Sequence, residues 1–453
     1  MQAIDGEPTK RIKPDLNFNP TLMSEHVAPA VKKADDPAFQ LPPRLSGLVM
    51  PLIIGGVAAL LIGWAIGSFG VSATFGMSAY LTAFIYCLTL CLGCLFFVML
   101  QHLVRAGWSV VVRRIAELVM VMVIPLAVLF LPVLATLWFG EGTLYAWDDP
   151  HYAEHHHLPE LLWLQKLRWL DQGWFTLRAI LYFAIWSGLA WFFYRGSIEQ
   201  DETGQATITD RLQYWSGPAI MAFCGATTFA AFDWVMSLAP MWFSTMFGVY
   251  MFAGSILAAH CLIAVGAYTL QKTGVMRDEV TIEHYHDLGK YIFGFVFFWT
   301  YIAFSQYMLI WYGNIPEETH WFYVRQEGIW GPIAIVLIFM HWMLPFAGTM
   351  SRHVRRTPHL VAFWGIYLLI MHFIDVYWMI MPEWQEHGQM ATEAAEASEI
   401  STAGGFVGVL ASLLCVVGMF SLIIGLVLKV AQQTRVAPVR DPRLRESIAF
   451  ENI

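Results

Sequence analysis

Phe232-Asp233-Trp234 runs on to Pro240-Met241-Trp242, and Ile374-Asp375-Val376 runs by the same spacing to Pro382-Glu383-Trp384. Both copies read Asp, six residues, Pro, one residue, Trp. Each Asp lies inside an apolar run long enough to cross a bilayer, about two turns before the run ends. Two carboxyl groups therefore sit within hydrocarbon depth, where a charge costs roughly 2.5 kcal/mol or more and by default marks a functional site.

Outward from these copies the whole chain has the same character. Of its 453 residues, 57% are apolar and 13% charged, which excludes an ordinary soluble enzyme. Runs of about 20 apolar residues, the length that crosses a bilayer, predict ten spans. They cover 48–70, 78–104, 115–139, 174–195, 214–238, 242–270, 289–313, 327–350, 358–382 and 404–430. The expected fold class is all-α, a polytopic membrane protein with ten transmembrane helices.

An even number of spans puts both termini on one side. Almost all of the 26 Lys and Arg fall on that side, against Lys166, Arg168 and Arg325 on the other and Arg178 within a span. That asymmetry predicts cytoplasmic termini. The opposite loops are acidic, with Asp148, Asp149, Glu154, Glu160, Glu317, Glu318 and the Glu-rich stretch 383–399. The net charge of -8 says little about nucleic acid, and no basic patch points to it. The polar residues 1–47 carry no signal peptide and read as a cytoplasmic arm, either disordered or ordered on a partner. Cys87, Cys91 and Cys94 share one face of the second span and read as packing residues, since no CxxC or CxxCH occurs.

Four spans separate the two Asp copies. Helices 2–5 (78–238) and 6–9 (242–382) therefore read as two four-helix bundles related by a parallel internal repeat, flanked by helix 1 (48–70) and helix 10 (404–430), with a tail at 431–453. Four histidines at 151 and 155–157 lie in the longest opposite-side loop. They read as a docking loop more readily than a metal site, because a loop offers no fixed ligand geometry.

Sorted by depth, the polar groups in the spans form two sets. Toward the side opposite the termini lie Arg178, Asp233, His372 and Asp375. Toward the termini lie Gln101, His102, Glu117, His260 and Asp287, with His341 deeper. Tyr301, Ser305, Gln306 and Tyr307 lie between them. His372 and Asp375 are three apart, so they share a helix face and make a proton-handling pair. The first copy has Ala230 in place of His372. Each group also has a structural reading: Asp233 as an ion-pair partner of Arg178, the interfacial His102, Glu117 and Asp287 as snorkelling groups, and His260 and His341 as packing residues. A single haem held by His260 and His341 is the one haem arrangement left open, since paired imidazoles per helix are absent. No Walker, Rossmann or nucleophile-elbow motif occurs.

The stretch His286-Asp287-Leu288-Gly289-Lys290-Tyr291, continued by Phe298-Trp299-Thr300-Tyr301 and by Ser305 to Thr319, resembles the NrfD-like membrane subunits of alternative complex III, related to the polysulfide reductase membrane subunit. The shorter, ActF-type subunit is the closer match, and the resemblance covers spans 2–9. It implies a subunit of a bacterial cytoplasmic-membrane quinol:cytochrome c oxidoreductase with no redox cofactor of its own. The implied partners are a sister NrfD-like quinol-binding subunit, a periplasmic iron–sulfur subunit, multihaem and monohaem cytochrome c subunits, and lipids. Quinol, iron–sulfur clusters and c-type haems would be theirs. It further implies a proton path, with Asp375, His372, Asp233 and Arg178 as the outer half, Asp287, Glu117, His102 and His260 as the inner half, and Tyr301, Ser305 and Gln306 between. Two other functions stay open: quinol binding by this chain near Asp375 and His372, and an autonomous secondary transporter.

Overall fold

A backbone in hydrocarbon must satisfy its own N–H and C=O groups, so each apolar run closes into a helix. The computed structural model describes residues 36, 39–140, 143–149, 151–155, 160–390 and 404–452. Ten of its helices are long and apolar enough to cross a membrane. They are α1 (Pro43–Gly70), α2 (Ala73–Leu103), α3 (Val110–Phe139), α4 (Trp163–Thr203), α5 (Ala206–Leu238), α6 (Phe247–Lys272), α7 (Ile282–Gly313), α8 (Trp330–Met350), α9 (Pro358–Trp384) and α10 (Gly405–Ala431). Among the described residues there is no strand, and the chain is an all-α, multi-pass membrane protein. Most of the expected arm over 1–47, together with His156, His157, Glu393, Glu396 and Glu399, lies outside the described residues.

Helices α2 and α6 are the most buried and pack against each other at the centre. Close approach is allowed by Gly93, where a Cβ would fall 2.0 Å from the Ser255 carbonyl oxygen. Around α2 pack α3, α5 and α9, and around α6 pack α5, α7 and α9. The pair α1 and α10 lies against α2. A Cβ on Gly56 would come 2.6 Å from Leu422 N and one on Gly63 2.7 Å from Cys415 N, so glycine lets these two backbones meet.

Three departures from the expected boundaries bear on the site. Helix α7 starts at Ile282, two turns before the expected 289, because Thr281 and His284 form a capping box. Helix α6 starts at Phe247, after a turn that holds Pro240 and Trp242. The two Pro residues of the repeated motif consequently play different parts. Pro240 sits in that turn, whereas Pro382 lies inside a continuous helix running Pro358–Met390 and does not mark its end. Helix α8 contains a π-helical segment, Leu337–Met343, that carries His341.

Candidate functional site

Asp233 is held by four side-chain hydrogen bonds. Arg178 donates through Nε to Oδ2 at 2.7 Å and through Nη2 to Oδ1 at 3.0 Å. The Trp169 indole N–H donates to Oδ1 at 2.8 Å and the Tyr182 hydroxyl to Oδ2 at 2.7 Å. The Arg178 guanidinium also lies 4.2 Å above the Trp169 ring. A bidentate arginine and two further donors hold this carboxyl group, and the arrangement ties α4 to α5. Nearby, Tyr145 donates to the Trp234 carbonyl at 3.1 Å. Burial and the Asp233 charge push its phenol well above the ordinary range, so it stays a donor.

Asp375 is equally buried but differently held. It accepts a short hydrogen bond from the Tyr250 hydroxyl on Oδ1 and one from the Trp299 indole on Oδ2 at 3.1 Å. Both donors are neutral. Among the described residues, no Lys, Arg or His nitrogen within ion-pair distance of it is found. The repeated motif thus presents one carboxylate matched by a fixed cation and one without.

His372 shares the α9 face of Asp375 but does not bond to it. Its Nε2 lies 2.8 Å from Thr89 Oγ1 of α2. That hydroxyl donates to the Tyr86 carbonyl at 2.7 Å, so it accepts from His372, and the proton of the neutral ring is on Nε2. Nδ1 is left as a bare acceptor, buried and without a partner. Gly254 of α6 faces this nitrogen: a Cβ there would lie 3.1 Å from His372 Nδ1 and 3.9 Å from Asp375 Oδ2. Glycine is therefore what lets the His372 ring pack directly against the α6 backbone, where a Cβ would come 2.9 Å from its Cε1.

His341 joins the cluster from α8. It is 0% exposed, neither ring nitrogen has a hydrogen-bond partner, and its ring lies 4.1 Å from that of Trp299, the indole that bonds Asp375. The π-helical segment inserts extra backbone into α8, a distortion common at functional sites. Thr89, Tyr250, Trp299 and His341 thus come from α2, α6, α7 and α8 to meet the α9 pair. The sequence reading missed the first two altogether, and the available signal was a polar or aromatic residue at mid-span.

The expected terminus-side set does not assemble. Glu117 is 0% exposed and lies 3.0 Å from both Arg113 Nε and Arg114 Nε. These arginines reach Asp441 and Asp201, each at 2.6 Å. Glu117 is therefore the centre of an ionic knot and contacts none of His102, His260 or Asp287. His102 packs against Phe193. His260 bonds its own helix at the Ile256 carbonyl, 2.8 Å, and is walled by Phe97, Tyr291 and Phe295. A haem edge at His260 would have to displace three aromatic rings. Asp287 is paired with Lys290 at 2.7 Å.

Nor do the three middle residues form a chain. Tyr301 is 58% exposed on the outward face of α7, Ser305 is half-buried, and Gln306 accepts from Ser244 at 2.9 Å. Among the described residues, no group of three or more His, Cys, Asp or Glu side chains is arranged to hold a metal ion. His151 is exposed beside Glu154 at 3.6 Å.

Compared with protein-family models and with curated proteins, the chain matches none.

Proposed function

We propose that this chain is a non-redox membrane subunit of a quinol:cytochrome c oxidoreductase of the alternative complex III type, and that it moves protons through the Asp375 cluster. Quinol, iron–sulfur and haem chemistry would be supplied by its partner subunits, and its termini would face the bacterial cytoplasm. The observation that carries the proton role is Asp375 itself: a buried carboxyl with neutral donors, on the same helix face as a buried imidazole nitrogen that has no partner. Such a carboxyl can hold and release one proton, and the unpartnered Nδ1 of His372 is a second acceptor on the same helix face. Tyr250 and Trp299 orient the carboxylate, and Thr89 engages His372 Nε2, which leaves Nδ1 as the acceptor.

Asp233 fits a different part. Held by Arg178 and two further donors, it acts as a clamp between helices.

The test is Asp375→Asn in the intact complex. Turnover from quinol to cytochrome c is expected to fall about tenfold or more, within the range that general acid–base groups contribute. Subunit content and haem content should match the unaltered complex. Unchanged turnover together with unchanged proton uptake would remove Asp375 from the path. A chain that purifies alone and moves a solute would favour the transporter reading.

A further inference from the structure

The stretch from His286 to Lys290 lies in the first turns of α7, and the Asp375 cluster uses none of its side chains. Gly289 has a packing reason. A Cβ there would lie 2.9 Å from both Cβ and Cγ of Arg355, so glycine lets the arginine stem rest against α7. Arg355 belongs to the short helical turn Arg352–Arg355 that links α8 to α9. Its guanidinium sits 5.5 Å from the Phe293 ring centre, and its Nη2 donates to the Met350 carbonyl at 3.0 Å. Its Nε is buried and has no partner.

The cations gathered here divide into two sets. Arg356 meets Glu283 with both terminal nitrogens, and Lys290 meets Asp287 at 2.7 Å. Arg352, which is exposed, and Arg355 have no carboxylate within ion-pair distance among the described residues. Residues three apart on a helical turn share a face, so the unmatched charge is concentrated at one place. Below it lies hydrocarbon-facing surface. Gly289, Phe293 and Phe297 follow one another four apart and form one stripe of α7. Phe346 of α8 stacks on Phe293 with ring centres 4.9 Å apart and lies 6.3 Å from Phe297, which is 56% exposed. Beside them a Cβ on Gly294 would meet nothing within 4 Å. An aromatic surface is thus headed by two unmatched guanidinium groups at the level where the spans leave the bilayer.

We propose that this surface binds an anionic phospholipid of the terminus-side leaflet. Arg352 and Arg355 hold its phosphodiester, and an acyl chain lies over Gly294 along Phe293 and Phe297. A guanidinium suits phosphate because its planar fork matches the oxygens. The general excess of cations on this side accounts for their number. It does not account for two of them standing unmatched above aromatic rings while their neighbours are paired. The inference is independent of the proton reading of Asp375.

The full chain, freed of lipid in detergent, is titrated with dioleoyl phosphatidylglycerol or dioleoyl phosphatidylcholine, and bound lipid is counted by native mass spectrometry. Each basic group near a membrane surface is worth about fivefold in affinity for anionic lipid. The expected result is a preference of about fivefold or more for phosphatidylglycerol, and a loss of about tenfold or more in its affinity for the double variant Arg352→Gln with Arg355→Gln. Arg211→Gln with Arg445→Gln removes two exposed arginines elsewhere on the same side and should leave the affinity unchanged. An equal loss in that variant would mean that overall charge, and not this site, attracts the lipid, and would overturn the proposal. Equal affinity of the unaltered chain for the two lipids would overturn it as well. Excess inorganic phosphate should not compete; displacement of the lipid by it would assign the arginines to free phosphate instead. If the double variant does not fold, Arg352→Gln alone decides: a loss of about fivefold supports the site, and an unchanged affinity overturns it.

Discussion

Asp233 and Asp375 occupy matching places in a repeated motif, yet their surroundings separate them, and the separation is measurable. Asp233→Asn would leave the Arg178 guanidinium, only 14% exposed, without its anion. Breaking a buried pair by removing one partner costs about 3 kcal/mol or more. The expected result is a protein destabilised by about that amount in detergent unfolding, with the pH profile of turnover in place; an unchanged unfolding midpoint would refute the clamp. Asp375→Asn should do the reverse, since its amide can still meet neutral donors. The sequence supplied the Arg178–Asp233 pairing from charge economy, because few cations lie on that side. It also placed His372 beside Asp375, but the hydrogen bond it suggested goes instead to Thr89, 283 residues away along the chain.

At the level of elements, span number and order were legible because crossing hydrocarbon demands a fixed length of apolar residues. Helix rotation was not legible. Trp299 and Tyr301 are two residues apart on α7, about 200° around the helix, so when one faces the cluster the other must face away. Tyr301, expected with Ser305 and Gln306 at the middle of the path, faces outward, and the structure turns Trp299 inward. A helix that is apolar all round leaves no periodic stripe to say which face is buried. Glycine spacing was the better guide, as the seam between α1 and α10 demonstrates. Gly63→Leu would drive a side chain into the Cys415 and Ala411 backbone, 2.7 and 2.8 Å from the new Cβ. It should cost about 2 kcal/mol in unfolding measurements, within the range for overpacking. Gly55→Leu, with nothing within 4 Å of its Cβ, should cost almost nothing. Equal losses in the two variants would mean that helix propensity or insertion, and not the seam, sets the effect.

Across the whole molecule, the tail that the sequence left as a terminal extension is a strap. Val436 N bonds the Phe39 carbonyl, Asp441 pairs with Arg113, and Arg440 donates to the Glu202 carbonyl. Ser447 Oγ donates to the Trp108 carbonyl at 2.7 Å and accepts from Val111 N at 3.2 Å, and Lys290 reaches Asn452. The strap therefore crosses the terminus-bearing face from the end of α4, past the start of α3, to the start of α7. It also supplies one of the three carboxylates in the knot around Arg113 and Arg114. Charge composition alone could not reveal this, because the tail's five basic residues from Lys429 onward read as ordinary surface charge. Ending the chain after Arg435 removes Asp441 and the acceptor for the Val111 amide together. Hydrogen exchange over residues 110–117 should then quicken by about tenfold or more, equivalent to losing roughly 1.4 kcal/mol of local stability. Exchange around His372 and Asp375, held by α2, α6 and α7, should not change. If exchange at 110–117 is unaltered, the strap is not what holds the start of α3; if it rises at both places, the two ends of the molecule are coupled more tightly than their separate hydrogen-bond networks require.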